Sequence, residues 1–296
     1  MTEYSSSRCS GGLSPSNATS PPQMLETAKQ RAIKDTLNNI RTKLFIMSGK
    51  GGVGKSAVTV NLAVALANAG LKVGILDVDM HGPSIPSLLS LNELLVPKDE
   101  ETLIPAFYQE KIAVVSMDSL LADRDTAIIW RGPKKNAAIR QFISSVAWGS
   151  LDVLLIDSPP GTGDEHLAVL QTIPDAQCIM VTTPQEISLA DVRKALRFLE
   201  KIHANLLGLV ENMSGFSCPH CGGAINIFSS GGGEKLAKDK DIPFLGRIPI
   251  DPAMLAAANA GCPLVDVPGE FPAKEAFMNI ARSVQNRCFA EGESSR

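Results

Sequence analysis

Eight residues near the start of the chain have the composition of a phosphate-binding loop. Gly49-Lys-Gly-Gly-Val-Gly-Lys-Ser56 fits the pattern G-x-x-x-x-G-K-[ST] and lies between an apolar run and a helix-like stretch. Glycines let backbone N–H groups surround phosphate oxygens, and a helix N-terminus adds its positive end. Lys55 should reach the β- and γ-phosphates, and Ser56 should ligate Mg²⁺. The predicted nucleotide contacts are Gly49, Lys50, Gly51, Gly52, Val53, Gly54, Lys55, Ser56 and Ala57.

Acidic residues follow two further apolar runs. Asp157 comes directly after Val153–Ile156, and Asp77-Val-Asp79 comes after Val73–Leu76. Ligands of open α/β sheets bind outside the carboxyl ends of the strands, so these carboxylates should lie near the phosphates. Asp157 is of the Walker B type and should share the Mg²⁺ with the loop hydroxyl. A strand-terminal aspartate can instead cap a helix, and this alternative stays open for Asp77 taken alone.

The elements that must position these residues alternate along the chain. Seven short apolar runs predict strands whose two faces are both covered: Leu44–Met47, Val73–Leu76, Ile112–Met117, Val153–Ile156, Cys178–Val181, Leu206–Val210 and Phe244–Ile248. Helices are predicted between them, among them Lys55 to Asn68, which ends near Gly70, and Ser188 to His203, which opens on a capping box. This alternation predicts a doubly wound, mostly parallel α/β sheet.

Composition limits the class of protein. The 296 residues are 44% hydrophobic and carry 28 basic and 31 acidic side chains, a net charge of −3. These values exclude a disordered, collagenous or coiled-coil chain and give no positive field for nucleic acid. We find no apolar run of membrane-spanning length and no signal peptide, and we expect a cytoplasmic protein.

We expect one folded domain. Residues 1–22 form a Ser/Gly/Pro-rich disordered tail, and 23–40 a lead-in helix. The ATPase domain occupies 41–290 and includes the cysteine segment 218–221. Residues 291–296 form a disordered C-terminus.

An additional lysine, Lys50, follows the first glycine of the loop. In this the loop resembles the deviant Walker A motif of the ParA/MinD group of P-loop ATPases, whose nucleotide lies between two subunits. The resemblance implies that Lys50 reaches the phosphates held by the partner subunit. It also implies that Asp79 positions or activates the attacking water, so the catalytic residues would be Lys50, Lys55 and Asp79.

Five further segments resemble the Mrp/Nbp35 family of iron–sulfur cluster carrier ATPases. They are Asp79-Met-His-Gly-Pro-Ser-Ile-Pro86, Trp130-Arg-Gly-Pro133, Asp157-Ser-Pro-Pro-Gly-Thr-Gly-Asp164, Glu211-Asn-Met-Ser214 and Cys218-Pro-His-Cys221. The resemblance runs from about Lys43 to Asp266. It implies that Asn212 contacts adenine and that Gly161 belongs to the switch that senses the γ-phosphate. The chain departs from eukaryotic Nbp35-type members, which carry a four-cysteine N-terminal motif, because it has Cys9 alone there.

Cys218 and Cys221 form the only close pair among the six cysteines. A redox dithiol needs its first cysteine at a helix N-terminus, whereas the glycines after Cys221 suggest a hairpin-like turn. A closed zinc site needs four ligands, and the sequence has no second C-x-x-C. A two-fold dimer would bring four thiolates together, enough for a [4Fe–4S] cluster or for zinc acquired during purification. We favour the shared cluster, which also agrees with the family resemblance.

The leading hypothesis is an ATP-hydrolysing carrier that holds a [4Fe–4S] cluster and transfers it to apo-proteins. Its cofactors would be ATP, Mg²⁺ and the cluster, and it would be a homodimer joined through the nucleotide face and the cysteine pair. The alternative is a ParA/MinD-type spatial-positioning ATPase that acts on membrane or DNA. The net charge of −3 and the few basic residues of the C-terminal helix give that alternative little support. We therefore expect no nucleic-acid partner and no stable membrane association.

Overall fold

The computed structural model describes residues 21–80, 82–92, 95–99, 102–117, 132–218, 221, 223–225 and 227–289. Several residues named above lie outside these ranges: the predicted tail before residue 21, Cys9, His81, Trp130, Arg131, Pro219, His220 and 291–296.

Eight strands form one sheet at the centre of the molecule, and two short hairpins lie apart from it. The described strands are β1 (Ile40–Ser48), β2 (Val73–Asp77), β3 (Val96–Pro97), β4 (Leu103–Ile104), β5 (Ala106–Tyr108), β6 (Ile112–Ser116), β7 (Leu151–Asp157), β8 (Gln177–Thr182), β9 (Asn205–Glu211), β10 (Phe216–Ser217), β11 (Ala224–Ile225) and β12 (Phe244–Arg247). The sheet order is β12-β9-β8-β1-β7-β2-β6-β5. Among the described strands of this sheet, seven run parallel to one another, and the edge strand β5 runs antiparallel to its neighbour β6.

Helices cover both faces of the sheet. They are α1 (Pro21–Asn38), α2 (Lys55–Asn68), α3 (Ile85–Leu88), α4 (Gly132–Ser145), α5 (Asp164–Thr172), α6 (Glu186–Lys201), α7 (Gly232–Asp239), α8 (Pro252–Asn259) and α9 (Pro272–Phe289). Residues of α2, α3, α8 and α9 belong to the hydrophobic core on one face, and residues of α1, α4, α5, α6 and α7 to the core on the other. The predicted doubly wound, mostly parallel sheet is confirmed.

The central strand β1 shows why its sequence reads as a continuous apolar run. Leu44 and Ile46 point into one core, whereas Phe45 and Met47 point into the other. Successive side chains of a strand alternate between faces, so a strand covered on both sides needs apolar residues throughout. All four side chains are fully buried.

The helix ends agree with the sequence at α2 and differ at α6 and α1. Gly70 follows α2 with a φ of +90°, as a glycine at a helix C-terminus does. The capping box predicted at Ser188 is wrong, because α6 begins at Glu186 and Ser188 shares a 2.6 Å hydrogen bond with Thr183 Oγ1 instead. Helix α1 begins and ends two residues before the expected interval of 23–40, since Ile40 already pairs with Leu151 in the sheet.

The C-terminal helix α9 packs on the sheet through its apolar face. Phe277, Ile280, Ala281 and Val284 are buried in the core that contains α2. Among the described residues, no helix combines the length and apolar character needed to cross a membrane.

Candidate functional site

Six of the seven parallel strands end in buried polar residues at the edge of the sheet where β1 leads into α2. These residues are Ser48, Asp77, Ser116, Asp157, Thr182 and Glu211. The strand order places β1 between β7 and β8, so the connections on its two sides diverge at this edge. Such a crevice is where open α/β sheets bind their ligands.

The phosphate loop connects β1 to α2 by a backbone that requires glycine. Gly52 and Gly54 have φ values of +79° and +80°. A Cβ on Gly49 would lie 2.6 Å from the carbonyl carbon of Asp191 in α6, so the loop packs directly on that helix. Lys50 is half-buried, and its carbonyl accepts a 3.0 Å hydrogen bond from Ser48 Oγ. The sequence prediction of a glycine-built turn between a strand and a helix is confirmed.

Asp157 is the centre of a buried hydrogen-bond network at the base of the loop. Its Oδ2 accepts from Lys55 Nζ and from Ser56 Oγ, each at 2.6 Å. Its Oδ1 accepts from Thr59 Oγ1, also at 2.6 Å. Thr59 lies one turn after Lys55 on the same face of α2. Thr59 was not identified from the sequence, although this four-residue spacing could have indicated that it lies near Asp157. The network brings the predicted phosphate and Mg²⁺ ligands into direct contact.

Asp77 lies opposite Asp157 in the register of β2 and β7. Burial, followed by the charge of Asp157, raises the pKa of Asp77 well above its usual value. Its Oδ1 accepts from the Asp79 backbone N–H at 3.0 Å, and its Oδ2 from Ser116 Oγ at 3.1 Å. Asp77 therefore closes a tight turn at the strand end and does not cap a helix.

Asp79 occupies the turn beyond β2 and is largely buried. Its Oδ1 accepts from the Gly82 N–H at 3.3 Å. Asp77 and Asp157 thus end two neighbouring strands, Asp79 lies in the turn after the first of them, and Ser56 contacts Asp157 from the first turn of α2. Oxygen donors of this kind are the ligands that Mg²⁺ prefers, so the residues present fit the predicted cation.

Two residues predicted from the resemblance flank the loop. Asn212 is buried, and its Nδ2 donates a 2.9 Å hydrogen bond to the Val53 carbonyl inside the loop. The Gly161 N–H donates to the Ser48 carbonyl at 2.9 Å, and Gly161 has a φ of +95°. The structure therefore places both residues against the phosphate loop, while their contacts to adenine and γ-phosphate remain predictions.

The segment after Asp157 contains polar residues that sequence reasoning missed. His166, in the first turn of α5, is fully buried against the ring of Phe45, and neither of its ring nitrogens has a hydrogen-bond partner. Burial lowers the pKa of His166 to about 4. Glu165 forms a salt bridge with Lys135 of α4. Burial by itself would raise the pKa of Glu165, but the hydrogen bond from Lys135, a backbone hydrogen bond and the charge of Lys135 together lower it. These contacts link residues far apart in the chain, so spacing gave no signal.

The cysteine pair lies in a hairpin. Strands β10 and β11 pair antiparallel, and the Cys218 N–H donates to the Gly223 carbonyl at 2.9 Å. Cys218 is half-buried and Cys221 is exposed. The expected hairpin-like turn is confirmed, and Cys218 itself lies outside the described helices. Among the described residues, no group of three or more His, Cys, Asp or Glu side chains is placed to hold a metal ion.

The comparison with known families decides the class. Residues 39–285 match the ParA family described as NUBPL iron-transfer P-loop NTPases. The chain belongs to this family. It is a P-loop ATPase, and the prediction of an ATP-dependent iron–sulfur carrier is confirmed at the level of the family.

Relatives of this iron-transfer NTPase carry corresponding names. An iron-sulfur cluster carrier protein of Methanococcus maripaludis is 44% identical over 97% of this chain and 99% of its own length. A cytosolic Fe-S cluster assembly factor of Danio rerio, nubp2, is 47% identical over 86% of this chain and 97% of its own. The human NUBP2 is 46% identical over 84% of this chain and 93% of its own length.

Solved structures agree on the fold of the NTPase. A nucleotide-binding protein of Archaeoglobus fulgidus in complex with ADP is 40% identical, with a TM-score of 0.70 over 82% of this chain and 98% of that one. The cell division ATPase MinD of Pyrococcus furiosus is 24% identical, with a TM-score of 0.63 over 83% of this chain and 99% of the MinD chain. The likeness to MinD shows the fold alone, so the spatial-positioning alternative is not favoured.

Proposed function

We propose that the chain binds MgATP in the Gly49–Ser56 loop and carries a [4Fe–4S] cluster between the cysteine pairs of two subunits. Hydrolysis of the ATP would be coupled to loading the cluster or to its transfer to apo-proteins. The observation that carries this proposal is the cysteine hairpin. It places Cys218, which is half-buried, and Cys221, which is exposed, three residues apart in one turn, and among the described residues no group of three or more His, Cys, Asp or Glu side chains could hold a metal ion.

Two thiols are half of the ligand set of such a cluster. A two-fold axis through the hairpin would supply the same two thiols from a second copy and complete four ligands. Three large apolar side chains, Ile225 in β11 and Ile227 and Phe228 shortly after it, are exposed and suit a contact surface. A site divided between two subunits can open when they move apart, which a carrier requires.

The chemistry at the loop would be in-line attack of water on the γ-phosphorus of ATP. Lys55 would leave Asp157 and pair with the β- and γ-phosphate oxygens. Asp79 would orient the water, and Lys50 of the second copy would offset the charge that develops as the β–γ bridging bond breaks. Mg²⁺, when bound through Ser56 and Asp157, supplies further positive charge to these oxygens. ADP and inorganic phosphate are the products.

The receiving partners would be apo iron–sulfur proteins. The compartment would be the cytosol, as the names of the zebrafish and human relatives state for those proteins. We propose no nucleic-acid or stable membrane partner, because the net charge of −3 provides no surplus of positive charge for either surface.

Anaerobic reconstitution with iron and sulfide tests the proposal. The wild type should take up a cluster with a charge-transfer absorbance and transfer it to an apo-enzyme, measured as recovered enzyme activity. Cys218→Ser with Cys221→Ser should abolish uptake. The matched control, Cys262→Ser with Cys288→Ser, removes two half-buried thiols elsewhere and should retain both uptake and transfer. Normal transfer by the Cys218/Cys221 variant would contradict the proposal.

A further inference from the structure

A seven-residue segment joins the phosphate loop to the cysteine hairpin. This connector, residues 211–217, begins at the last residue of β9 and ends directly before Cys218. Near its start, Asn212 Nδ2 donates to the Val53 carbonyl at 2.9 Å, and the Asn212 N–H donates to Thr182 at 2.8 Å. One end of the connector is therefore bonded to the loop that would hold the phosphates.

The other end of the connector is fixed to the chain that follows β12. The Ser214 N–H donates to the Ile248 carbonyl at 2.9 Å, and the Ile250 N–H donates to the Gly215 carbonyl at 2.8 Å. Phe216 then forms a bridge with Ile250 before β10 begins its pairing with β11. The hairpin thus continues directly from a segment whose backbone is held at successive residues.

The carboxylate of Glu211 holds both the entry and the exit of the hairpin. This side chain is fully buried. It accepts hydrogen bonds from Ser214 Oγ in the connector, from the Gly231 N–H at 2.7 Å and from the Gly233 N–H. Gly231 and Gly233 lie at the N-terminus of α7, which follows the hairpin in the chain. A negative charge at a helix N-terminus that accepts three hydrogen bonds forms a strong local anchor.

We propose that Glu211 is a positioning residue that ties the cysteine hairpin to the phosphate loop, so that nucleotide occupancy changes the exposure of the bound cluster. A displacement of the loop moves Asn212, the neighbour of Glu211 in the chain. Glu211 bonds the segment that enters the hairpin, at Ser214, and the start of the helix that follows it, at Gly231 and Gly233. The hairpin therefore moves together with Asn212 and the loop. This inference rests on the proposed function, since it requires a cluster at Cys218 and Cys221.

The test measures how fast a ferrous-iron chelator removes the cluster from the reconstituted full-length dimer, with MgATP and without nucleotide. Couplings between sites are on the order of 5- to 150-fold, so the two wild-type rates should differ by about fivefold or more. In Glu211→Gln, the amide offers one acceptor oxygen to three donors, and the ratio of the rates should approach one. Cluster content and MgATP affinity should change by less than about twofold, a result that general loss of structure would not give.

A matched control is Asp266→Asn. Asp266 also accepts three hydrogen bonds, from Asn68, Tyr108 and Gln109, but it lies away from the connector. This variant should keep the wild-type ratio. Ser214→Ala removes one of the three donors to Glu211 and should lower the ratio partway, which provides the test if the Gln variant does not fold.

Three results would overturn the inference. The first is that Glu211→Gln, folded and loaded with cluster, keeps the wild-type ratio of cluster-removal rates. The second is that Ser214→Ala keeps that ratio. The third is that the wild type itself gives a ratio of one. None of these results overturns the cluster-carrier function, which is tested separately by the dependence of uptake and transfer on the Cys218/Cys221 pair.

Discussion

Lys55 Nζ lies 2.6 Å from Asp157 Oδ2 in a buried salt bridge at the base of the phosphate loop. Both residues have a proposed role with MgATP, the lysine at the phosphates and the aspartate at the metal. Their pairing keeps two buried charges neutralised, since a buried charge without a partner is costly. When MgATP binds, Lys55 would exchange Asp157 for the negatively charged phosphates, and Asp157 would exchange Lys55 for the positively charged Mg²⁺.

Asp157→Asn should therefore remove ATP hydrolysis. The variant loses a charged Mg²⁺ ligand and the partner of Lys55, and we expect the rate of phosphate release to fall about 100-fold or more. Asp152→Asn is the matched control, since Asp152 lies near the other end of β7, where its side chain accepts from the Lys72 N–H. Equal rates in the wild type and Asp157→Asn would contradict the assignment.

Lys50 and Asp79 should complement each other between subunits. If Lys50 acts on the nucleotide of the partner and Asp79 on its own, the variants Lys50→Ala and Asp79→Ala are each inactive alone. A one-to-one mixture forms about half mixed dimers with one intact site in each, so about a quarter of the wild-type rate should return. Phosphate release after mixing and subunit exchange measures this. No recovery, despite mixed dimers seen by native mass spectrometry, would show that the two residues act within one subunit.

Two glycines of the loop should differ in their tolerance of alanine. Gly52 and Gly54 have nearly the same positive φ, and the left-handed backbone alone should cost Gly52→Ala about 1 kcal/mol of unfolding free energy. A Cβ on Gly54 would also lie 2.4 Å from Asn212 Nδ2, whereas one on Gly52 would contact nothing within 4 Å. Gly54→Ala should therefore break the Asn212–Val53 hydrogen bond and cost about 1 kcal/mol more. Urea unfolding without nucleotide compares them, and equal losses would contradict the tight contact.

His166 should make the protein less stable in acid. Its pKa is about 4 in the folded protein against 6.5 ordinarily, so the unfolded chain binds more protons between these values. Stability should thus fall as the pH drops from 6.5 towards 4, by about 3 kcal/mol from this residue. His166→Phe removes the titrating group, and its unfolding free energy should depend less on pH in this window. Identical pH slopes for the two proteins would contradict the assignment.

The sequence predicted the parts of the site that are contiguous in the chain. The phosphate loop is one motif, and Asp77 and Asp157 follow apolar strands, so their positions came from a rule about strand ends. Glu211 also ends a strand, but its partners Gly231 and Gly233 lie about twenty residues later. Such contacts depend on how α7 packs against the sheet, which periodicity does not determine.

Two features of the fold were missed for related reasons. The edge strand β5 has three residues and alternates buried and exposed side chains, too short a pattern to stand out. The capping box at Ser188 failed because the hydroxyl of Thr183, outside α6, offered that serine a partner. In both cases tertiary context outweighed a local preference.

The central claim is a cluster shared between two chains, and the iron and sulfide content of each oligomer tests it most directly. Native mass spectrometry of the anaerobically reconstituted protein would assign each mass to an oligomer and its inorganic content. We predict that the cluster occurs in the dimer alone, with four iron and four sulfide ions per two chains, and that Cys218→Ser with Cys221→Ser removes it. A monomer that carries a complete cluster, or a dimer that retains one after both substitutions, would contradict the account.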